Sequence, residues 1–193
     1  MVNKSDSSSL PAALQQIAVA FRLAGWLSFW TQLVLGVVSA LVLLFASVSR
    51  DVVPQNQQNP GTGLGVFLAV CALITLGLSV YLAFRYTQIA KQLRSPNPNN
   101  RPRKLETVKI VRLGLIVNLV GILLSLLGAQ AIAGTLLLKS LSVPQIGFGA
   151  AIAAPQQLIR PLDIFVVQAN TNTVAAHFCG LVASLFLLNR ATK

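Results

Sequence analysis

The stretch QANTNTVAAHFCGLVASLFLL, residues 168–188, combines a polar beginning with a long apolar run. Five polar side chains lie from Gln168 to Thr173, and the single histidine of the chain, His177, follows one turn later. A helix that crosses roughly 30 Å of bilayer hydrocarbon needs about 20 mostly apolar residues, and this stretch has that length. The sequence therefore predicts a membrane helix that keeps polar groups within the bilayer.

The composition is that of an integral membrane protein, because 54% of the 193 residues are hydrophobic and only 10% are charged. A soluble domain of this size would have to expose much of that apolar surface. The apolar runs lack the alternation of barrel strands and are rich in Leu, Ala and Gly. We predict an all-α integral membrane protein, a four-transmembrane-helix bundle with spans at about 26–47, 64–84, 113–138 and 164–188.

The formal net charge of +11 would suggest nucleic acid in a soluble protein, but the placement of the charges predicts a topology instead. Eight of the fifteen basic residues lie between spans two and three: Arg85, Lys91, Arg94, Arg101, Arg103, Lys104, Lys109 and Arg112. By the positive-inside rule this loop is cytoplasmic. An even number of spans then puts the N- and C-termini on the cytoplasmic side too. We expect the lipid bilayer as a partner and no nucleic acid.

The segments outside the spans are of three kinds. Residues 1–9 are polar, and we expect a disordered N-terminus before a single membrane domain of residues 10–193. No targeting pattern that would be removed is visible at the start, so we expect a mature chain. Residues 139–163 contain GFGAAIAAP, which is apolar but too short to span. This external segment either lies in the membrane interface or re-enters the bilayer under cover of protein.

The residues before the first span predict a helix of their own. Apolar side chains recur at helical spacing opposite Gln15 and Arg22, namely Leu14, Ile17 and Phe21. This pattern indicates an amphipathic N-terminal interfacial helix that turns near Gly25 into span one. Trp26 and Trp30 would then lie at the headgroup level, where indole rings anchor membrane helices.

Small and polar residues recur at intervals of three, four or seven positions, and so lie on one face of each predicted span. Span three has Gly114, Asn118, Gly121, Ser125 and Gly128. Span four has Asn170, Thr173, His177, Gly180 and Ser184. Span one has Gly25, Gln32, Gly36, Ser39 and Ala46, and span two has Gly65, Ala69, Ala72 and Ser79. Helices in a bilayer associate through close packing of small residues and a few hydrogen bonds, so these stripes predict the contact faces.

Two interpretations of His177 are open at this point. It can be a hydrogen-bonded core histidine, or it can belong to a transport or binding site, since an ionisable group within the membrane is a functional candidate. Antiparallel packing of spans three and four would place it opposite Ser125, with Ser184 towards Asn118. Four residues could surround it: Gln32, Asn118, Gln130 and Cys179. The candidate polar intramembrane site consists of His177, Asn170, Thr173, Asn118, Ser125 and Gln32.

The same residues argue against catalysis and against a tight metal site. One histidine with no pair of carboxylates, no phosphate-binding glycine loop and no His/Cys cluster predicts neither an enzyme nor a cofactor. His177 is the one candidate metal ligand, and no Asp or Glu lies within a span. A dehydrated divalent cation normally takes carboxylates or several His or Cys ligands. Cys71 and Cys179 lie within spans, where we expect unpaired thiols that fill space.

Two stretches carry a resemblance to a known family, FRLAGWLSFWTQLVLGVVSALVLLFA at residues 21–46 and VQANTNT at residues 167–173. With the four-span layout and the basic central loop, they resemble the cyanobacterial and plastid family of the inner-envelope protein called permease in chloroplasts. That family is also described through the twenty-one-kilodalton component of the inner-envelope translocon. The resemblance covers residues 14 to 190. It implies iron transport or protein import, and a chain without a transit peptide resembles a cyanobacterial member.

The sequence thus leaves two functional hypotheses. The first is a permease-like membrane protein for iron or another divalent metal, in a cyanobacterial plasma or thylakoid membrane, which we expect to form a homo-oligomer because four packed spans leave little room for a pathway. The second is an accessory or scaffold subunit of a larger complex, either a protein-import translocon or a photosynthetic assembly component. Its partner or an anionic lipid would dock on four basic loop residues, Arg94, Arg101, Arg103 and Lys104. Equally, these residues could be solvated charges that only set the orientation of the chain in the membrane.

Overall fold

The computed structural model describes residues 12–51, 60–95, 97–142 and 161–192. These residues form the long helices α1 (Ala12–Asp51), α2 (Pro60–Leu93), α3 (Lys104–Ser142) and α4 (Pro161–Thr192), with a 3₁₀ turn at Pro98–Asn100. Each long helix contains a stretch that is long and apolar enough to cross a membrane, and no strand occurs in the described ranges. The predicted all-α fold with four spans is confirmed.

The four helices form a ring in which neighbours run antiparallel. α1 packs against α2 and α4, α3 packs against the same two helices, and α2 also touches α4 across the centre. Gly25 near the start of α1 lies against Thr87 near the end of α2, and Gly36 lies against Leu76. The start of α1, the end of α2, the start of α3 and the end of α4 therefore share one end of the bundle, which we call the basic end.

The bundle buries polar side chains together with two apolar clusters, and it exposes many large apolar side chains. Leu27, Phe45 and Phe178 are each more than half exposed. Inside, one apolar cluster at the basic end includes Phe21 and Leu187, and a second cluster at the opposite end includes Leu43 and Ile132. An apolar exterior suits contact with lipid tails, so the composition, the helix lengths and the burial pattern together describe a multi-pass membrane protein.

The structure corrects the expected turn near Gly25. Residues 12–51 form one continuous helix, so no separate interfacial helix precedes the span. Of the predicted apolar stripe, Phe21 is fully buried and Leu14 and Ile17 are half-buried, whereas Gln15 and Arg22 on the opposite face are exposed. The stripe packs against the other helices, where the Phe21 ring meets Tyr86 edge-on with ring centroids 6.3 Å apart. Packing on protein favours a continuous α1, because its first turns have a partner other than the headgroups.

The connection between α2 and α3 is short and braced by its own residues. The guanidinium of Arg101 donates two hydrogen bonds to the carbonyl oxygen of Ser95, at 3.2 and 3.1 Å. α2 ends at Leu93, and one residue separates it from the Pro- and Asn-rich SPNPNNRP, as that composition predicts. The predicted disorder of residues 1–9 and most of the external segment 139–163 lie outside the described residues.

Candidate functional site in the polar core

The predicted contact faces are the buried faces of the helices. Every member of the stripes in α2, α3 and α4 is buried, and the α1 stripe is buried except at Gly36, which is half-buried. The stripes thus bring polar side chains into the bundle, whereas its exposed faces carry many large apolar side chains. The polar side chains form a layer between the two apolar clusters, with contributions from all four helices.

His177 lies at the centre of this layer and is fully buried. Its Nδ1 is 3.1 Å from Oδ1 of Asn118 on α3, and its Nε2 is 3.3 Å from the carbonyl oxygen of Ala72 on α2. The hydroxyl of Thr75 lies 3.4 Å from the same Nε2 and 2.7 Å from the Ala72 carbonyl. A neutral imidazole with its hydrogen on Nδ1 donates to Asn118, and its Nε2 accepts from Thr75 only if that hydroxyl gives up its hydrogen bond to the Ala72 carbonyl.

Asn118 connects the four helices through one amide group. Its Oδ1 accepts from Ser79 Oγ of α2 at 2.8 Å and from Gln32 Nε2 of α1 at 3.3 Å, in addition to His177 of α4. Its Nδ2 donates to the carbonyl oxygen of Gly114 at 2.8 Å. An amide oxygen has two lone pairs, so the three donors around Asn118 Oδ1 exceed the number of hydrogen bonds that this oxygen readily accepts.

Glycines allow α3 and α4 to approach this closely. A Cβ atom on Gly121 would overlap the imidazole ring of His177, and one on Gly180 would overlap the amides of Asn118 and Gln32. The structure corrects the predicted register by one turn, because His177 lies against Gly121 rather than Ser125. Likewise Ser184 approaches Gly114, where a Cβ would lie 3.2 Å from Ser184 Oγ.

The polar layer continues along α4 towards the end opposite the basic end. Thr173 Oγ1 donates to the carbonyl oxygen of Ala169 at 2.9 Å, and Ser39 Oγ of α1 donates to the same oxygen at 2.9 Å. Ser125 Oγ donates to the Gly121 carbonyl at 2.8 Å. We call the column of buried polar residues on α4 and its partners the polar column: Gln32, Ser39, Asn118, Ser125, Asn170, Thr173, His177 and Ser184.

Within the polar column some buried atoms have no hydrogen-bond partner. Asn170 is 1% exposed, and neither its Oδ1 nor its Nδ2 is bonded. Gln32 is fully buried and uses Nε2 but not Oε1. An unpaired buried amide costs about 1–3 kcal/mol, judged from protein mutational data. These atoms are the places where a polar guest would gain hydrogen bonds without displacing any.

The sequence-predicted neighbours of His177 divide in two. Asn118 and Gln32 belong to its network, whereas Gln130 is exposed and Cys179 is half-buried in a groove between α1 and α4. The prediction missed Thr75 as a partner of His177. It lies three residues after Ala72 on the stripe of α2, which is the signal that could have identified it.

A second polar pair was missed nearer the basic end. The phenol oxygen of Tyr86 lies 3.2 Å from Ser184 Oγ, and Ser184 also donates to the Gly180 carbonyl at 2.9 Å. Tyr86 is 2% exposed. Tyr86 lies just past the predicted end of span two at residue 84. The described α2 continues to Leu93 and packs the Tyr86 ring inside the bundle.

The donor set of the polar column is neutral. It offers amides, hydroxyls, one imidazole and backbone carbonyl oxygens. Among the described residues no three His, Cys, Asp or Glu side chains come together in a group that could hold a metal ion. His177 is thus a single nitrogen ligand surrounded by neutral oxygens, an arrangement that can contact a cation weakly but does not match a tight divalent site.

The four basic loop residues do not form one patch. Arg101 braces the loop through Ser95, as described above. Arg103 and Lys104 are exposed at the start of α3, and Arg94 is exposed in a groove between α1 and α2. Neutralising Arg101 would therefore alter the loop itself, whereas Arg103 and Lys104 are free to act as surface charges.

Comparison with known proteins agrees with the resemblance carried by residues 21–46 and 167–173. The family described as "Protein of unknown function (DUF3611)" matches residues 11–192. The protein named "Protein TIC 21, chloroplastic" of Arabidopsis thaliana is 33% identical over 193 residues, which are 99% of this chain and 63% of that protein. The chain thus spans less than two thirds of that relative. No solved structure matches. The family match includes all four helices, and the chain belongs to the DUF3611 family.

Proposed function

We propose that the protein is a permease-like membrane protein that passes a divalent metal, iron in the first instance, along the polar column. The unpartnered amide of Asn170, buried inside a bundle with an apolar exterior, is the observation that carries the proposal. In a bilayer an unsatisfied polar group has no water to bind, so a passing polar guest or its hydration water would recover the lost hydrogen bonds. The family resemblance supports iron as that guest.

The neutral donors of the polar column support conduction rather than storage. A conduction pathway must bind its substrate well enough to admit it and weakly enough to release it. Asn170, Thr173 and His177 follow each other at one-turn intervals along α4, so successive weak contacts lie along one line. A cation that keeps part of its hydration shell would exchange amide, hydroxyl and imidazole contacts along that line.

The test is uptake of divalent iron into proteoliposomes that contain the purified full chain. Asn170→Ala should lower the uptake rate by about tenfold, the effect of losing one contact of about 1.4 kcal/mol. The matched control is Gln168→Ala, which removes an exposed amide two residues away on the same helix. Equal rates for Asn170→Ala and wild type, both above empty liposomes, would remove the polar column as the route.

A second function is favoured by the close packing of the core. Gly114, Gly121 and Gly180 each face a side chain that a Cβ would overlap, so the described helices are packed against one another in their present form. This supports an accessory or scaffold subunit of a membrane complex, such as a translocon or a photosynthetic assembly component. It predicts membrane partners that copurify with wild type and with His177→Ala but are lost when Arg103 and Lys104 are neutralised together.

Oligomeric state separates the two functions further. We expect a permease of this size to be a homo-oligomer, whereas a scaffold function is compatible with a monomer. The mass of the particle in lipid nanodiscs decides this point. The basic residues support an orientation with both termini cytoplasmic. The family resemblance supports a location in a cyanobacterial plasma or thylakoid membrane. No enzymatic activity is part of either proposal.

A further inference from the structure

A groove between α1 and α2 at the basic end brings three cationic side chains together. Arg22 comes from α1, Lys91 from the last turn of α2, and Arg94 directly follows the end of α2. All three are exposed, and the groove has a volume of about 260 Å³. Clefts for whole drug-sized ligands begin at about 300 Å³, so this groove suits a headgroup rather than a complete lipid.

The floor of the groove is closed by tight helix packing. A Cβ atom on Gly25 would lie 2.9 Å from Cγ2 of Thr87, so α1 is close to α2 at this level. The Thr87 hydroxyl donates to the carbonyl oxygen of Phe84 at 2.7 Å. A ligand can therefore enter from the rim, where the cations are, and does not pass on into the polar column.

The charges in the groove have no anionic partner among the described residues. None of its lining residues is Asp or Glu. Glu106, the carboxylate whose side chain the structure describes at this end, lines a different groove with Arg85 and Arg101. Three cations around one cleft create a positive potential that attracts an anion.

Aromatic rings on the same face place the groove at the level of the lipid headgroups. Trp26 lines the groove and stacks on Trp30, with ring centroids 5.8 Å apart and planes 9° apart. Phe84 is the second aromatic residue that lines the groove, and its ring centroid is 6.1 Å from that of Phe29. Trp side chains prefer the interface between headgroups and acyl chains. The three cations lie beyond Trp26 and Phe84 towards the basic end, and so at the level of the headgroups.

We propose that this groove binds the anionic headgroup of a membrane lipid, with the acyl chains lying on the exposed apolar surface of α1 and α2 beyond Trp26 and Phe84. The groove opens onto lipid-facing surface, which favours a lipid over a soluble phosphate ester. Each Lys or Arg near a membrane surface strengthens binding to anionic lipid by about fivefold. The site goes beyond the proposed transport function, and its test measures lipid and not flux.

The experiment uses the purified full chain in nanodiscs of phosphatidylcholine with a minor fraction of phosphatidylglycerol. Bound lipid is counted by native mass spectrometry after transfer to detergent. The triple variant Arg22→Gln, Lys91→Gln, Arg94→Gln should retain phosphatidylglycerol about a hundredfold less strongly, three times the per-charge effect on a logarithmic scale. The matched control removes three exposed charges of the same end, Arg103→Gln, Lys104→Gln and Lys109→Gln, and should retain it within about twofold of wild type.

Three outcomes would overturn the proposal. Equal loss in both triple variants would mean that diffuse surface charge holds the lipid. Unchanged retention in the groove variant would mean that the groove does not bind it. Displacement by glycerol 3-phosphate as effective as by the whole lipid would mean a site for soluble anions. If the triple variant does not fold, the single variant Lys91→Gln with its control Lys109→Gln gives the same comparison, with about fivefold weaker retention expected.

Discussion

Gly121 and His177 show at the scale of single residues how the polar core depends on a missing side chain. The imidazole occupies the space that a Cβ on Gly121 would fill. Gly121→Ala should destabilise the bundle by about 1–3 kcal/mol, because the ring must move away from its contacts with Asn118 and Ala72. Gly77 has open space around its Cα, so Gly77→Ala should be neutral or stabilising by about 0.5–1 kcal/mol.

Unfolding of both variants in mixed detergent micelles, followed by circular dichroism, measures this difference. The comparison is informative because both substitutions add one methyl group to a transmembrane helix. Equal stabilities of Gly121→Ala and Gly77→Ala would show that the imidazole does not occupy the position described here.

The hydrogen bond between His177 and Asn118 gives a second prediction at the residue scale. Interhelical polar pairs in a membrane couple by about 0.6 kcal/mol on average and by at most about 1.7 kcal/mol. His177→Ala and Asn118→Ala should therefore show a coupling of that size in a double-mutant cycle. The control cycle pairs His177→Ala with Ser39→Ala, whose hydroxyl bonds the Ala169 carbonyl, and should be additive within about 0.5 kcal/mol. Equal coupling in both cycles would contradict the network.

Much of the polar core is predictable from residue types, and part of it is not. The spacing of Asn170, Thr173 and His177 places them on one buried face, as the structure has them. The partner of each group is not predictable in the same way, because Gln130 and Gln32 are the same residue type and only one of them faces inward. Which amide faces inward depends on how its helix is rotated about its own axis. In a single sequence the stripe of small and polar residues is the signal for that rotation.

At the scale of helices, the contact faces are predictable and the register is not. Stripes of small residues repeat at every turn, so sliding α4 by one turn against α3 leaves small residues facing small residues. The large imidazole of His177 breaks this degeneracy, because it fits against Gly121 and not against a residue with a side chain. His177 of α4 faces Gly121 of α3. Because the two helices are antiparallel, Ser125, four residues after Gly121, should lie opposite Thr173, four residues before His177.

Cysteine crosslinking tests this register. In a background without Cys71 and Cys179, the pair Ser125→Cys and Thr173→Cys should form a disulfide in membranes with mild oxidant. The pair Ser125→Cys and His177→Cys, which the sequence alone predicted to be opposite, should react more slowly by about tenfold, since a shift of one turn moves the Cα atoms apart by about 5.4 Å. The reverse order of rates would restore the register predicted from the sequence.

The continuity of α1 through Gly25 likewise could not be predicted from the sequence. Gly25 follows a stripe that is amphipathic enough for an interfacial helix, and glycine permits a bend. Its actual role is close approach, since it lets α1 lie against Thr87 of α2. Burial of Ala18 and Phe21 on the other helices favours one continuous helix over a bent one. Tertiary contacts, which local periodicity does not report, decided between the two.

At the scale of the whole molecule, the distribution of charge predicts the orientation in the membrane. The described basic end carries exposed Arg22, Lys91 and Arg94, and the α2–α3 connection lies there. Single cysteines at Asn99 and Gln57 in the cysteine-free background should react with a membrane-impermeant maleimide from opposite sides. Labelling of Asn99→Cys from the cytoplasmic side and of Gln57→Cys from the other side is the expected result. Cytoplasmic labelling of position 57 would reverse the topology.

The central claim is that the polar column carries a substrate, and iron uptake by purified protein tests it most directly. Wild type should take up divalent iron faster than empty liposomes, and His177→Ala should lower the rate by about tenfold, the equivalent of about 1.4 kcal/mol of lost contact. Phe178→Ala, which removes an exposed ring at the next position, should keep the rate of wild type. If wild type and His177→Ala both match empty liposomes, the permease function is contradicted and His177 serves only to hold the four helices together.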